Sequence, residues 1–167
     1  EAIAHQAQPE WKPETPLPDD PRNFWTLIYG LTKFGDLFTP RQLVALNTFS
    51  DLVPEAIAHV RANALAVGMA DDGKGLDAGG NGATAYAEAV GVYLAFIISK
   101  LIDINNALAP WGHIQECPLH LFSRQAIPMA WDFAEANPLS TSSGSWAIVS
   151  NGIHKGLAPT VLNAQYR

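Results

Sequence analysis

A helix start at Thr39 is the sequence feature that most constrains what this chain can fold into. Thr39 is a suitable N-cap, Pro40 follows where its missing N–H costs no hydrogen bond, and Gln42 completes a capping box. Apolar residues then recur at helical spacing over residues 43–53, which predicts a buried helix. The same helix start, with Gly35 just upstream, can also serve as an anion site, because free N–H groups and the helix dipole attract a carboxylate. The residues alone leave both interpretations open.

Two long helices are predicted to form the body of the chain. The first runs from Pro40 towards Val67 and ends near Gly68, with a kink or a break at Pro54. The second spans residues 83–108 and is expected to be the central core helix, with most of its circumference covered. Small residues on this helix allow its neighbours to approach closely: Ala85, Ala87, Ala89, Gly91 and Ala95.

A glycine-rich loop at residues 68–82 connects these helices. It contains six glycines and three aspartates, a composition typical of irregular structure. The loop lacks the lysine–serine ending of a P-loop and the ligand spacing with a closing glutamate of an EF-hand. We therefore expect a mobile surface connection.

Residues 1–37 are expected to form an extended arm that packs on a helical domain of residues 38–167. Five prolines prevent long helices in the arm: Pro9, Pro13, Pro16, Pro18 and Pro21. Four aromatic residues are expected to anchor it on the helical body: Trp11, Phe24, Trp25 and Tyr29. The alternative interpretation is a linker or a partner-binding arm.

Composition limits the classes of partner. The formal net charge is −6, whereas a free-standing DNA-binding module normally carries a basic face. With 48% hydrophobic and 16% charged residues, the chain is apolar for a soluble domain, which suggests partly buried helices or a missing partner surface. The single cysteine, Cys117, excludes an internal disulfide and is typical of a reducing cytosol. The longest apolar run is too short to span a bilayer, so we expect a cytoplasmic protein.

Residues 109–121 contain three candidate metal ligands, namely His113, Cys117 and His120. Structural zinc sites need four ligands, so no metal site is predicted. The alternative is that these side chains are simply packed or solvated.

Residues 128–137 are predicted to form a short helix, bounded by a proline at each end. Asp132 and Glu135 lie on this helix, and Arg124 precedes it by one turn. The two carboxylates are candidates for acid–base chemistry, which needs an enclosing cleft and a raised pKa. An ion pair of Arg124 with one of them, bracing the segment, is the preferred interpretation.

A last helix is predicted over residues 145–157, with Pro159 interrupting the chain after it. The sequence has no Gly-x-Ser-x-Gly elbow, and no serine has a neighbouring histidine and acid. No catalytic residue is therefore predicted.

Four segments resemble, in this order, the middle region of a large prokaryotic family of adenine-specific DNA methylases that carry a zinc ribbon. They are GDLFTPRQLVAL (35–46), AYAEAVGVYLAF (85–96), FSRQAIPMAWDFAEANP (122–138) and SGSW (143–146). The likeness runs from about Leu17 to beyond Trp146. Together with a start at Glu1 rather than at methionine, it suggests an internal piece of a longer methylase.

This resemblance implies S-adenosylmethionine as the cofactor of the parent enzyme and the N6 amine of adenine as its methyl acceptor. Such enzymes need a glycine-containing cofactor loop and an Asp-Pro-Pro-Tyr type loop that holds the flipped base. Neither motif occurs here. The piece is therefore expected to be catalytically silent alone, with DNA contacted through the rest of the parent chain.

The triplet Phe38-Thr39-Pro40 is similar to the Phe/Tyr-Thr-Pro element that lies against the cofactor in other adenine methylases. By this resemblance Phe38 packs near the cofactor, while Thr39 and the N–H groups of Arg41 and Gln42 face its methionine carboxylate. The cofactor-binding residues implied are Phe38, Thr39, Pro40, Arg41 and Gln42.

The sequence thus predicts a mainly α, bundle-like piece with two long helices, shorter C-terminal helices and an extended proline-rich N-terminal arm. Its expected role is to complete the cofactor pocket or to position the catalytic half of the methyltransferase. The competing hypothesis is a non-catalytic scaffold, whose apolar helix faces dock on the rest of the enzyme or pair with a second copy.

Overall fold

The computed structural model describes residues 8–20, 24–123 and 126–164, with no side-chain description for Phe24 and residues 158–164. Helices dominate the described part, which contains a single two-stranded sheet, so the predicted mainly α class is confirmed. The elements in chain order are α1 (Phe24–Ile28), α2 (Pro40–Ala66), α3 (Ala83–Ile104), β1 (Trp111–Gly112), β2 (Cys117–Pro118) and α4 (Trp146–Ala164), with 3-10 turns at Phe34–Leu37 and Leu121–Ser123.

The chain divides into two compact units. The first unit comprises Glu1–Asn47 and Ser99–Arg167, and the second comprises Thr48–Ile98. Both α2 and α3 contribute residues to each unit, so the division falls inside helices rather than in a linker. No change of composition along the chain signals such a boundary.

The start of α2 is the capping box that the sequence predicts. The Thr39 N–H donates to Gln42 Oε1 at 2.9 Å, and the Gln42 N–H donates to Thr39 Oγ1 at 3.3 Å. These reciprocal bonds satisfy two groups that a helix start leaves without an intrahelical partner. The helix then continues without a break through Pro54, so the predicted division at this residue does not occur.

The end of α2 also follows the prediction, because Gly68 stops the helix just beyond Ala66. Gly68 has φ +87° and donates its N–H to the carbonyl of Leu65 at 3.0 Å. The N–H of Met69 donates to the carbonyl of Ala64 at 3.0 Å, which completes a Schellman motif. Glycine is required here because a side chain disfavours positive φ.

α3 ends at Ile104, and its predicted extension to Leu108 is wrong. Two buried asparagines follow the helix, and their side chains bind the carbonyls of its last turn. Asn105 Nδ2 donates to the carbonyl of Leu101 at 3.0 Å, and the amide of Asn106 donates to two further carbonyls at 3.2 and 3.1 Å. These bonds replace helical continuation by a side-chain cap.

Within the second unit, α3 approaches α2 closely at Gly91. A Cβ atom on this glycine would lie 2.5 Å from Ile57 Cδ1, so the predicted role of small residues is confirmed at this position. The expectation that α3 is covered on most sides is wrong, however. Tyr86, Tyr93 and Phe96 are 50%, 38% and 54% exposed.

The glycine-rich loop is held by the carboxylate of Asp71, which lies at the N-terminus of α3. Thr84 donates its N–H to Asp71 Oδ1 at 3.1 Å and its hydroxyl to Oδ2 at 2.8 Å. Arg61 Nη2 lies 3.0 Å from Oδ2, and the Gly73 N–H donates to Oδ1 at 3.2 Å. These donors, led by the Thr84 hydroxyl, lower the pKa of Asp71 to about 2.

Two glycines of this loop permit close backbone contacts. A Cβ on Gly80 would lie 2.2 Å from the carbonyl oxygen of Lys74, and one on Gly82 would lie 2.7 Å from the Cα of Asp71. The loop has no regular structure, as expected, and these close contacts position its backbone at two points.

The core of the first unit joins residues from distant parts of the chain. Its buried members are Leu17, Leu37, Leu108, Leu121 and Ile127. The N-terminal arm reaches this core through Leu17, whose N–H donates to the carbonyl of Thr32 at 2.8 Å. Among the aromatic anchors proposed from the sequence, Trp11 is 63% exposed, whereas Tyr29 contacts Trp131 with ring centroids 4.5 Å apart. The side chain of Phe24 lies outside the described residues.

The predicted helix over residues 128–137 is absent, and this stretch is irregular in the structure. Its neighbour Ile127 is buried in the core and Met129 packs against it, so tertiary contacts override the helical propensity of the segment. The last helix is longer than predicted. α4 starts at Trp146 and continues to Ala164, past the proline at position 159.

Candidate functional site

A pocket of about 380 Å³ lies beside the start of α2 in the first unit. Its walls come from the first turns of α2, from the residue after α3 and from the irregular segment before α4. The lining residues are Arg41, Gln42, Ala45, Leu46, Asn105, Glu135, Ala136, Asn137 and Pro138. The volume lies in the range of small-molecule sites.

Gln42 lines this pocket and carries a buried hydrogen-bond donor that has no partner among the described residues. The residue is 4% exposed, and its Oε1 accepts the N–H of Thr39, which fixes the orientation of the amide. Gln42 Nε2 is buried and has no hydrogen-bond partner among the described residues. A buried donor without a partner costs about 1–3 kcal/mol, so a ligand that supplies an acceptor here gains affinity.

An ion pair stands at the same pocket. Arg41 Nε lies 2.6 Å from Glu135 Oε1 and 2.7 Å from Oε2, with a further contact from Arg41 Nη2 to Oε2. The fork of the guanidinium thus meets both carboxylate oxygens. The preferred ion pairs of Arg124 cannot be described, because Arg124 lies outside the described residues. Asp132 is exposed, so the enclosing cleft that acid–base chemistry requires is not formed around it.

The five predicted cofactor residues do not line one common pocket. Arg41 and Gln42 line the pocket described above, whereas Phe38 and Pro40 line a separate one of about 420 Å³. Thr39 stands between them, with its hydroxyl in the capping box. The N–H of Gln42 also serves the capping box, so the group of this residue that has no hydrogen-bond partner among the described residues is its side-chain Nε2.

The second pocket contains an ion pair between Lys12 Nζ and Asp36 Oδ1 at 2.7 Å. The other oxygen of Asp36 accepts the N–H groups of Thr32 and Lys33, each at 3.0 Å. The hydrogen bond from Lys12 is the main cause that lowers the pKa of Asp36. Lys12 and Asp36, the charged side chains of this pocket, already have partners inside the protein, so this pocket is the weaker candidate for a ligand site.

The three candidate metal ligands are in different environments. Cys117 is half-buried in β2 opposite Gly112, while His113 is exposed. His120 Nδ1 lies 2.9 Å from Asp103 Oδ2. Among the described residues, no group of three or more histidine, cysteine or acidic side chains has the arrangement of a metal site.

The sequence did not reveal the pocket residues that come after α3 in the chain. Arg41 and Glu135 are 94 positions apart, and no periodicity or motif connects them. The α2 side of the pocket could be predicted from the sequence, because the capping box marks Gln42 as a residue whose side chain is fixed at a helix start.

No helix in the described ranges combines the length and the apolar character that a bilayer crossing requires. Comparisons with protein-family models, with curated proteins and with solved structures found no match to this chain.

Proposed function

We propose that this chain forms the internal helical region of an S-adenosylmethionine-dependent DNA methyltransferase that acts on the N6 amine of adenine. In this proposal the pocket at the start of α2 contributes to the cofactor site. The observation that carries the proposal is the buried, unpaired amide of Gln42 in a pocket at the segment that resembles the cofactor-contacting element.

The pocket suits part of such a cofactor. Ala45, Leu46, Ala136 and Pro138 give it apolar walls, against which an aliphatic chain or an adenine ring packs. Gln42 Nε2 offers two N–H donors to a carboxylate or to a ring nitrogen. The methionine carboxylate is the stronger acceptor, because hydrogen bonds to charged groups contribute about 1.5–3 kcal/mol.

The chemical step belongs to the rest of the parent enzyme. The chain has neither an Asp-Pro-Pro-Tyr loop nor a glycine-containing cofactor loop, so the base and the sulfonium must be placed by other segments. Its net charge of −6 likewise assigns DNA contact to the parent chain, which acts in the prokaryotic cytoplasm.

Isothermal titration of S-adenosylmethionine and S-adenosylhomocysteine into the chain tests the proposal. Gln42→Glu is the decisive variant, because it keeps the acceptor that the capping box needs and removes the two donors. We expect it to weaken binding by about tenfold or more. Gln115→Glu adds the same charge at an exposed position and is expected to bind like the unmodified chain.

A Thr39→Ala variant distinguishes the effect of losing the helix cap from the effect of losing a ligand contact. It removes the hydroxyl that accepts the Gln42 N–H, so it should lower stability by about 1 kcal/mol. Absence of binding at millimolar cofactor, or equal binding by the Gln42→Glu variant, contradicts the proposal.

The second candidate function is a scaffold without a ligand, and the exposed face of α3 favours it. Tyr86, Tyr93 and Phe96 share this face at helical spacing, with the rings of the last two 6.1 Å apart. A scaffold separated from its partner should self-associate through such a face. Sedimentation velocity with a Phe96→Ser variant tests this alternative, which predicts an oligomer that the substitution dissociates.

A further inference from the structure

Three aromatic rings of the first unit form an exposed cluster. Trp25 lies in α1 and Tyr29 directly follows this helix, with ring centroids 6.4 Å apart and planes inclined by 12°. Trp131 comes from the irregular segment and meets Tyr29 nearly edge to face, with centroids 4.5 Å apart and planes inclined by 77°. The rings therefore form a corner, in which Trp25 and Tyr29 are nearly parallel and Trp131 is nearly perpendicular to Tyr29.

This corner opens into a pocket of about 390 Å³, completed by Pro128 and Met129. None of the described residues that line it carries a charge. Trp25, Tyr29 and Trp131 are 50%, 46% and 74% exposed, so large ring surfaces remain accessible to a ligand. A ligand that covers these rings would remove their apolar surface from water, which favours binding.

We propose that this aromatic pocket binds a quaternary ammonium group. The faces of tryptophan and tyrosine attract a cation within about 6 Å of the ring centroid, and rings at different angles can contact it from several sides. A quaternary ammonium has no N–H group, so it requires no acceptor from the pocket. A nucleobase can stack on the same rings, but its specific recognition needs polar side chains, which the described lining offers only at the ring edges.

The charge of the chain supports a cationic ligand. The formal net charge is −6, which attracts cations and repels a nucleic acid backbone. Asp132 follows Trp131 in the chain and is exposed, which adds a carboxylate to the same segment. The site is separate from the pocket of Gln42, so the inference does not depend on the proposed methyltransferase function.

Tryptophan fluorescence and isothermal titration with choline test the inference. The neutral tert-butyl analogue of choline has the same shape without the charge, and we expect it to bind about tenfold more weakly. Trp131→Ala should weaken choline binding by a similar factor, and the variant should keep its fold because this ring is 74% exposed. Trp11→Ala removes another exposed indole, 63% accessible and outside the pocket, and should leave choline binding unchanged.

A peptide with a trimethyllysine is the second probe. Tighter binding of this peptide than of choline would identify a modified protein as the source of the ligand, and the reverse would identify a choline compound. Equal affinity for the neutral analogue, unchanged binding by the Trp131→Ala variant, or no binding of either probe overturns the proposal. Preference for adenosine monophosphate over choline also overturns it and assigns the rings to base stacking.

Discussion

The glycine-rich loop at residues 68–82 and the segment at residues 126–138 are both irregular, but they are stabilised in different ways. In the loop, Asp71 binds Thr84 and Arg61, which are close to it in sequence. In the segment, Glu135 binds Arg41, which is 94 positions away. An irregular stretch can therefore be ordered by local polar contacts or by distant tertiary ones. The second kind creates pockets here, since residues 128–138 contribute to two of them.

The largest expected effect is on the anchoring of the distant segment. Gly144 has φ +83°, and a Cβ atom there would lie 2.5 Å from the Cβ of Ala136. Gly144→Ala should therefore lower the free energy of unfolding by about 3 kcal/mol, from backbone strain and overpacking together. Chemical denaturation measures this loss.

The matched control is Gly152→Ala, in α4. A Cβ atom at Gly152 meets nothing within 4 Å, so this substitution should leave stability unchanged or raise it by about 0.5–1 kcal/mol. An equal loss in both variants would show that residues 126–138 are not held by the contact at Ala136.

The local contacts of the loop should respond to pH. The pKa of Asp71 is lowered from 3.8 to about 2, first by the hydrogen bond from the Thr84 hydroxyl. A depressed pKa means that the stabilisation is complete above the ordinary value and is lost as the pH falls through about 2. The protection of the Gly73 and Thr84 amides, measured as their hydrogen exchange relative to the unstructured rate at the same pH, should therefore fall in this acidic window.

The Asp71→Asn variant sharpens the same test. It should expose the Gly73 and Thr84 amides to exchange already at neutral pH, because the charged acceptor is lost. Asp77→Asn, at an exposed position of the same loop, is the control and should leave the protection unchanged. Rapid exchange of both amides in the unmodified chain would support the mobile loop that the sequence suggested.

The smallest effect is expected for the ion pair between Arg41 and Glu135. The two side chains are 46% and 26% exposed, so solvent screens their attraction. A double-mutant cycle with alanine at each position should give a coupling of about 0.5–1 kcal/mol that declines with added salt. A coupling that salt leaves unchanged would contradict the screened pair.

Structural features that depend on residues close together in the sequence were easier to predict than features that depend on distant residues. Both ends of α2 were predicted, because the Thr39–Gln42 box and the Gly68 terminus act within a few residues. The early end of α3 was missed, although its cause is local. Asn105 and Asn106 compete for helix carbonyls, but asparagine inside an apolar helical pattern does not by itself reveal that its side chain will be buried.

The pocket could be predicted only on its α2 side. The helical pattern of residues 128–137 was misleading, because neighbouring Ile127 packs in a core that is assembled from five separate parts of the first unit. Glu135 and Pro138 reach Gln42 through this tertiary arrangement, which no spacing in the sequence encodes. The unpaired state of Gln42 Nε2 likewise becomes visible only with the surrounding atoms in place.

The most direct test of the central claim is an NMR titration that follows the side-chain amide of Gln42, assigned by its disappearance in the Gln42→Glu variant. Addition of S-adenosylhomocysteine should shift this pair of resonances and slow their exchange with solvent, because the ligand supplies the missing acceptor. Resonances that stay in place at saturating ligand, or while ligand binds elsewhere on the chain, would contradict the claim that Gln42 faces a cofactor.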